Sequence, residues 1–252
     1  MRLSRATCAY QSMGKDDEQI KEILKKLADK YRRYGFRKIF CMVRRKGFPW
    51  NHKRVYRVYR SLGLNIRKKP KKRLPVRDKV ALEQPPQLNT CWSLDYMSDT
   101  LTYGKRFRTV NVIDDYNREV LTIKARLSLP SKRVIEILEE VAQEKGYPEK
   151  IRIDNGPENI SREFKQWAKL RKIELQYIQP GKPAQNGYIE RFNRTYREEV
   201  LDMNLFRNIQ EVQQLTDRWI GEYNNERPHQ ALGNLTPSEH GQLKNFSTFG
   251  LY

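Results

Sequence analysis

The hydrophobic periodicity of this chain changes near residue 90, which rules out one uniform architecture for its 252 residues. Ahead of that point apolar residues return at helical intervals. Beyond it, short β-branched and aromatic runs are cut by turn residues. Asp16, Asp17 and Glu18 open a first helix with acid where the helix dipole favours it. Ile20, Ile23, Leu24, Leu27 and Tyr31 form its apolar stripe, and Gly35 breaks it. Phe36, Ile39, Phe40 and Val43 repeat the spacing as far as Gly47, Phe48 and Pro49. Asn51 then stands where a third helix needs its cap. Val55, Val58, Tyr59 and Leu62 line one face of that helix, and Lys53, Arg54, Arg57 and Arg60 the other.

Charge divides at the same place. The formal net charge is +20, from 50 Lys and Arg against 30 Asp and Glu. Residues 1–90 hold 26 basic and 7 acidic side chains, a net of +19; residues 91–252 hold 24 and 23, a net of +1. An excess confined to one third of the chain favours a polyanionic partner bound with counterion release. Three short helices ending on a basic one are what a helix-turn-helix module offers DNA. A small bundle with a solvated basic face is the plain alternative. Residues 66–79, IRKKPKKRLPVRDK, carry eight basic and one acidic side chains and two prolines. They predict an extended linker, either a simple tether or a phosphate-following strand with Lys68, Lys69, Lys71 and Lys72 on DNA. The neutral remainder is long enough to bury a core of its own. The expected division is a helix-turn-helix-like domain over 1–65, a basic linker over 66–88 and a second domain over 89–252.

Several classes fall away. No run of about 18 apolar residues exists, so no membrane span is expected, and the N-terminus lacks the apolar centre of a signal peptide. Cys8, Cys41 and Cys91 are scattered and odd in number, which suits a reducing compartment. With His52, His229 and His240 they make no closely spaced zinc site.

The second region predicts strands at 91–97, 107–113 and 120–125, joined by tight turns. Ser131 is expected to cap a helix with Val134, Ile135, Leu138, Val141 and Ala142 facing inward. A short strand at 151–154, a helix near 162–170 and a strand at 174–178 follow. A Gly/Pro-rich loop then leads into a helix from about 188 to 201, and another spans roughly 209–224. A meander continued by α/β crossovers implies a mixed sheet with helices on its faces.

Three carboxylates stand out against this outline. Asp95 puts a charge inside a strand that otherwise reads as buried. Asp154 closes a short strand where α/β sheets place ligands, and Glu190 lies in the first turn of the helix after the loop. Each has an ordinary explanation: an exposed strand residue, a turn, and a pair with Arg194 one turn on. Brought together, they would repel unless cations lay between them. Mg²⁺ is the natural guest for oxygen ligands, and two such ions serve phosphodiester chemistry. Lys182, Arg191 and Arg194 flank Glu190 as candidates to hold phosphate. Asp114 and Asp115 read as hairpin-turn residues, His229 as a packing residue, and Trp92, Tyr96, Trp167 and Trp219 as core.

The spacing is specific: 58 residues separate Asp95 from Asp154, and 35 separate Asp154 from Glu190. That pattern resembles the Asp, Asp, 35-residue gap, Glu signature of the retroviral-integrase and transposase superfamily. The segments WSLDYM, IRIDNGPE, QNGYIERFNRTYREEVL and YNNERPHQALGNLTPSE resemble the bacterial two-frame insertion-sequence transposases, the IS-three family, second-frame (OrfB) type. The resemblance spans essentially the whole chain. It implies an RNase H-like core, a mixed five-stranded sheet flanked by helices, behind a small all-α helix-turn-helix-like domain. It further implies that Asp95, Asp154 and Glu190 coordinate two Mg²⁺, with Mn²⁺ able to substitute. The implied reaction is strand cleavage by water followed by attack of the freed 3′-hydroxyl on another phosphodiester. Double-stranded DNA, an upstream-frame protein or frameshift fusion partner, and further copies of the chain are the implied partners, in the bacterial cytoplasm at the nucleoid. The start, LSRATCAYQS, resembles the later part of the second-frame N-terminus, so the front is expected to be short. A nuclease of the same core that does not join ends, and a DNA-binding regulator, are the competing functions.

Overall fold

The computed structural model describes residues 16–66, 82, 84–179 and 183–247, and the chain divides into two compact units, Met1–Lys71 and Lys72–Tyr252. The first unit holds α1 (Glu18–Lys30), α2 (Phe36–Arg45) and α3 (His52–Ser61). Ile20, Leu24 and Leu27 of α1 meet Ile39 and Val43 of α2 and Val55, Val58 and Tyr59 of α3 in one core. These are the expected stripes, because residues three and four apart share a helix face. Asn51 caps α3 as its sequence position predicts, accepting from the Lys53 N–H at 2.8 Å. Residues 67–81 and 83 lie outside the described residues, and with them Lys68, Lys69, Lys71 and Lys72 of the expected linker.

The second unit is built on β1 (Cys91–Thr100), β2 (Arg106–Asp114), β3 (Val120–Arg126), β4 (Lys150–Ile153) and β5 (Glu174–Tyr177). Their order across the sheet is β3-β2-β1-β4-β5. The first three strands form the antiparallel meander; β4 and β5 pair parallel to β1 and to each other. Helices α4 (Ser131–Lys145), α5 (Pro157–Ile160) and α6 (Arg162–Leu170) come before and after β4. Helices α7 (Gly187–Glu199), α8 (Ile209–Asn225) and α9 (Pro237–Ser247) complete the unit. The mixed five-stranded sheet is the architecture expected from the order of strands and helices.

Strand alternation sorts the core into two layers. Trp92, Leu94, Val110, Val112, Ile151 and Ile153 pack on one face with Val134, Leu138, Phe164 and Trp167 of α4 and α6. Met97, Phe107, Ile113, Ile123 and Ala125 pack on the other with Ile189, Phe192 and Tyr196 of α7 and Val212, Trp219 and Tyr223 of α8. Each fully buried large side chain contributes about 1.5–3 kcal/mol. Among the described residues no helix is long and apolar enough to cross a membrane.

Several local details differ from expectation. β1 runs on to Thr100, and α9 closes the unit without a clear apolar stripe to announce it. Ser131 is not the cap of α4: Pro130 holds that position, and the Ser131 hydroxyl donates to the Glu158 carbonyl at 2.9 Å. Ile135 packs half-buried against the core as expected, and Ile137 is buried beside it. Asp114 and Asp115 sit at the β2 hairpin end as expected but are buried. Asp114 accepts from the Asn89 and Tyr116 N–H groups, and Asp115 pairs with Arg152 at 2.7 Å.

Candidate active site

Asp95 lies in mid-strand between two core layers. Leu94 points to α4 and α6, so the alternation turns Asp95 to the opposite face, under α7. The parallel pairing of β1 with β4 sets Ser93 beside Arg152. Two residues further along the two strands come Asp95 and Asp154, so the pairing brings both carboxylates to the same sheet end. Asp154 is the first residue past β4, and Glu190 stands in the first turn of α7. Chain segments 58 and 35 residues apart thus converge.

The electrostatics record that convergence. Burial pushes the Asp95 carboxyl up to about 6 and is the largest cause. The Tyr96 N–H opposes the rise, the charges of Asp154 and Glu190 add to it, and the Asn193 amide opposes it. Asp95 and Asp154 are half-buried and Glu190 is exposed, so the cluster opens toward solvent. Asp95 accepts from the Tyr96 N–H at 2.8 Å and from Asn193 Nδ2 at 2.7 Å. Asn193 lies one turn after Glu190 on α7 and is itself held by Asn111 of β2, at 2.7 Å. Asp154 Oδ1 accepts from the Gly156 N–H at 3.1 Å and from Asn159 Nδ2 at 2.8 Å.

Among the described residues, no three His, Cys, Asp or Glu side chains are grouped closely enough to hold a metal ion as they stand. Asp95, Asp154 and Glu190 share a field without closing on one point. Their chemistry fits a hard divalent cation: all three offer carboxylate oxygens, and a charge between them would relieve the repulsion felt at Asp95.

The remaining predicted residues fall in different surroundings. Arg191 and Arg194 are exposed on α7, while Lys182 lies outside the described residues. In the first unit Lys53 and Arg60 are exposed on α3. Arg54 and Arg57, by contrast, both grip Asp17, at 2.8 and 2.5 Å. The Arg54 hydrogen bond is the main cause holding the Asp17 carboxyl below the usual carboxylate range. Reasoning from sequence did not find Asn111, Asn159 and Asn193, and it read Tyr96 as core. The only sequence signal among them is the spacing of Asn193 from Glu190, which puts both on one helix face.

Comparison with known proteins agrees with this fold. Residues 85–183 and 171–237 match models described as "Integrase core domain", and residues 15–73 match an "HTH-like domain". An insertion element IS407 protein of 31.7 kDa from Burkholderia multivorans is 37% identical over 238 residues, covering 94% of this chain and 86% of that protein. The transposase InsD of an Escherichia coli insertion element is 24% identical over 226 residues, covering 82% of this chain and 73% of InsD. A chain of the simian T-cell lymphotropic virus intasome, solved with the PP2A regulatory subunit B56 gamma, superposes with a TM-score of 0.56 at 16% identity. It covers 87% of this chain and 74% of its own. The HTLV-2 integrase catalytic core, solved with magnesium, superposes with a TM-score of 0.50 at 17% identity over 62% of this chain and 98% of its own. At these identities the two structures establish the fold alone.

Proposed function

Because the chain belongs to the integrase-core transposases of bacterial insertion sequences, we propose that Asp95, Asp154 and Glu190 are its catalytic residues and hold two Mg²⁺ ions, or Mn²⁺ in their place. The convergence of the three carboxylates at one end of the sheet carries this reading. When bound, such ions supply Lewis-acid stabilisation of the charge that develops at a phosphodiester. The presence of magnesium in the HTLV-2 integrase core supports the choice of metal.

The protein's own groups have separable tasks. Asp95, the innermost, is oriented by the Tyr96 N–H and the Asn193 amide. Asp154 is oriented from the loop behind β4, and Glu190 from the first turn of α7. Arg191, Arg194 and Lys182 bracket Glu190 in sequence and would hold the phosphates of the strand being cut. In the cutting step a water oxygen attacks phosphorus and the 3′ oxygen leaves as a hydroxyl. In the joining step that hydroxyl attacks a second phosphodiester and displaces its 3′ oxygen, so the count of phosphodiester bonds is unchanged. The helix-turn-helix-like unit grips duplex DNA through Lys53 and Arg60, with Lys68, Lys69, Lys71 and Lys72 continuing the contact. Arg54 and Arg57 would first have to leave Asp17. Two element ends must be handled together, so the working form is an oligomer on DNA, joined by an upstream-frame protein or by a frameshift fusion with it.

Joining of a labelled terminal-repeat duplex tests this reading. Asp154→Asn is expected to lower cleavage and joining at least about 100-fold, as loss of a few kcal/mol of transition-state stabilisation requires, with duplex affinity retained. Joining at the unsubstituted rate by that variant would sink the assignment. Release of 3′ ends without any joined product would favour a nuclease, and absence of metal-dependent nicking a regulator.

A further inference from the structure

Asp154 stands one residue beyond β4, where the sheet's backbone ladder no longer holds it. A carboxylate in a loop, close to two like charges, swings away unless something fixes it. Asn159 meets that need. Its side chain is fully buried. Its Nδ2 donates to Asp154 Oδ1 at 2.8 Å, and its Oδ1 accepts from the Tyr96 hydroxyl at 3.0 Å. The amide is planar, so fixing both ends fixes the direction from which Asp154 is held. The chemistry also sets its orientation: a carboxylate requires a donor, and a phenol hydroxyl has its proton to give.

Tyr96 is the residue after Asp95, and its own N–H donates to Asp95 Oδ1. One residue of β1 therefore touches the first carboxylate through its backbone and reaches the second through its hydroxyl and Asn159. The surrounding contacts stiffen this bridge. The Arg108 guanidinium lies 4.8 Å over the Tyr96 ring and is ion-paired with Glu158, the neighbour of Asn159. The Tyr177 hydroxyl of β5 donates to the Asn159 carbonyl at 2.9 Å.

We infer that Asn159, with Tyr96 as its partner, is a positioning residue that sets the separation of Asp95 and Asp154 for cation binding. The inference rests on the reading of these carboxylates as metal ligands. Neither Asn159 nor the Tyr96 hydroxyl need touch DNA or metal. Their effect is exerted through Asp154.

Mn²⁺ binding to the full-length chain without DNA, followed by calorimetry and by loss of the free-ion paramagnetic signal, tests it without any catalytic readout. Asp154→Asn is expected to abolish binding at the carboxylate site. Asn159→Ala should weaken Mn²⁺ binding about 10- to 100-fold, as loss of groups that orient metal ligands does. Tyr96→Phe, which removes one oxygen and keeps the ring, should weaken it severalfold and carries the test if Asn159→Ala does not fold. In strand cleavage both variants should need more Mn²⁺ for half-maximal rate while approaching the unsubstituted rate at saturation. A purely structural role would lower the melting temperature and leave metal affinity alone. Mn²⁺ affinity unchanged in Tyr96→Phe and Asn159→Ala, beside its loss in Asp154→Asn, overturns the bracing role alone. Equal Mn²⁺ binding by the unsubstituted chain and Asp154→Asn, or none by either, overturns the carboxylate site and the brace with it.

Discussion

The buried charges beneath the sheet end are the most exacting residues of this protein. Asp115 is fully buried, and its partner Arg152 nearly so. Burial pushes the Asp115 carboxyl up, while the Ser93 hydroxyl and the Arg152 and Arg118 charges oppose the rise. Removing the cation strands the carboxylate, so Arg152→Met should cost about 3–5 kcal/mol in urea unfolding at pH 8. The cost should shrink as pH falls and Asp115 takes up a proton, and Arg152→Met with Asp115→Asn should recover much of it. Asp114 has a different linkage. Burial is the main cause raising its carboxyl to about 6, against an ordinary value near 3.9. A raised carboxyl binds its proton more tightly in the folded state. Its contribution is therefore present below pH 4 and is lost as pH climbs through 6. The stability of the unsubstituted chain minus that of Asp114→Asn should fall by about 2 kcal/mol between pH 4 and pH 7, and a flat difference would contradict this assignment.

At the scale of the element, short helices depend on their ends. α3 spans ten residues, too few to persist alone, and Asn51 satisfies one of its exposed N–H groups. Asn51→Ala should lower the stability of the front unit by about 1 kcal/mol in a circular-dichroism melt. Helix α7 illustrates the same economy: its first turn carries Glu190 and its second carries Asn193, which holds Asp95. Most elements were legible because periodicity is a local property. Helix α5 was not, since Pro157–Ile160 is a single turn with no period to detect. Ser131 misled because the helix begins one residue early: Pro130 holds the cap position, Ser131 is already the first helical residue, and its hydroxyl donates to the Glu158 carbonyl.

For the whole molecule, the proposed function assigns grip to the front unit and chemistry to the second. The +19 carried by residues 1–90 makes DNA affinity steeply salt-dependent. Lys53→Ala and Arg60→Ala should each reduce the slope of log affinity against log salt by about 1. Arg54→Ala should change that slope less and lower the stability of the front unit, because Arg54 is already engaged by Asp17. Equal slopes for all three variants would show that Arg54 leaves Asp17 on binding.

The amino-acid sequence by itself determined the order of the strands and of the longer helices before residue 226, the separation of basic front from neutral remainder, and the 58- and 35-residue spacing of three acids. Each of these is carried by residue type and position along the chain. Only the tertiary structure decided that β4 pairs parallel with β1 and so brings Asp95 and Asp154 to one sheet end. It also decided that Tyr96 reaches Asn159 across 63 positions, and that Asp17 claims two of the four basic residues of α3. Hydrogen bonds and ion pairs between distant segments depend on where the backbone returns. That return is settled by burying two apolar layers at once, and no local spacing encodes it.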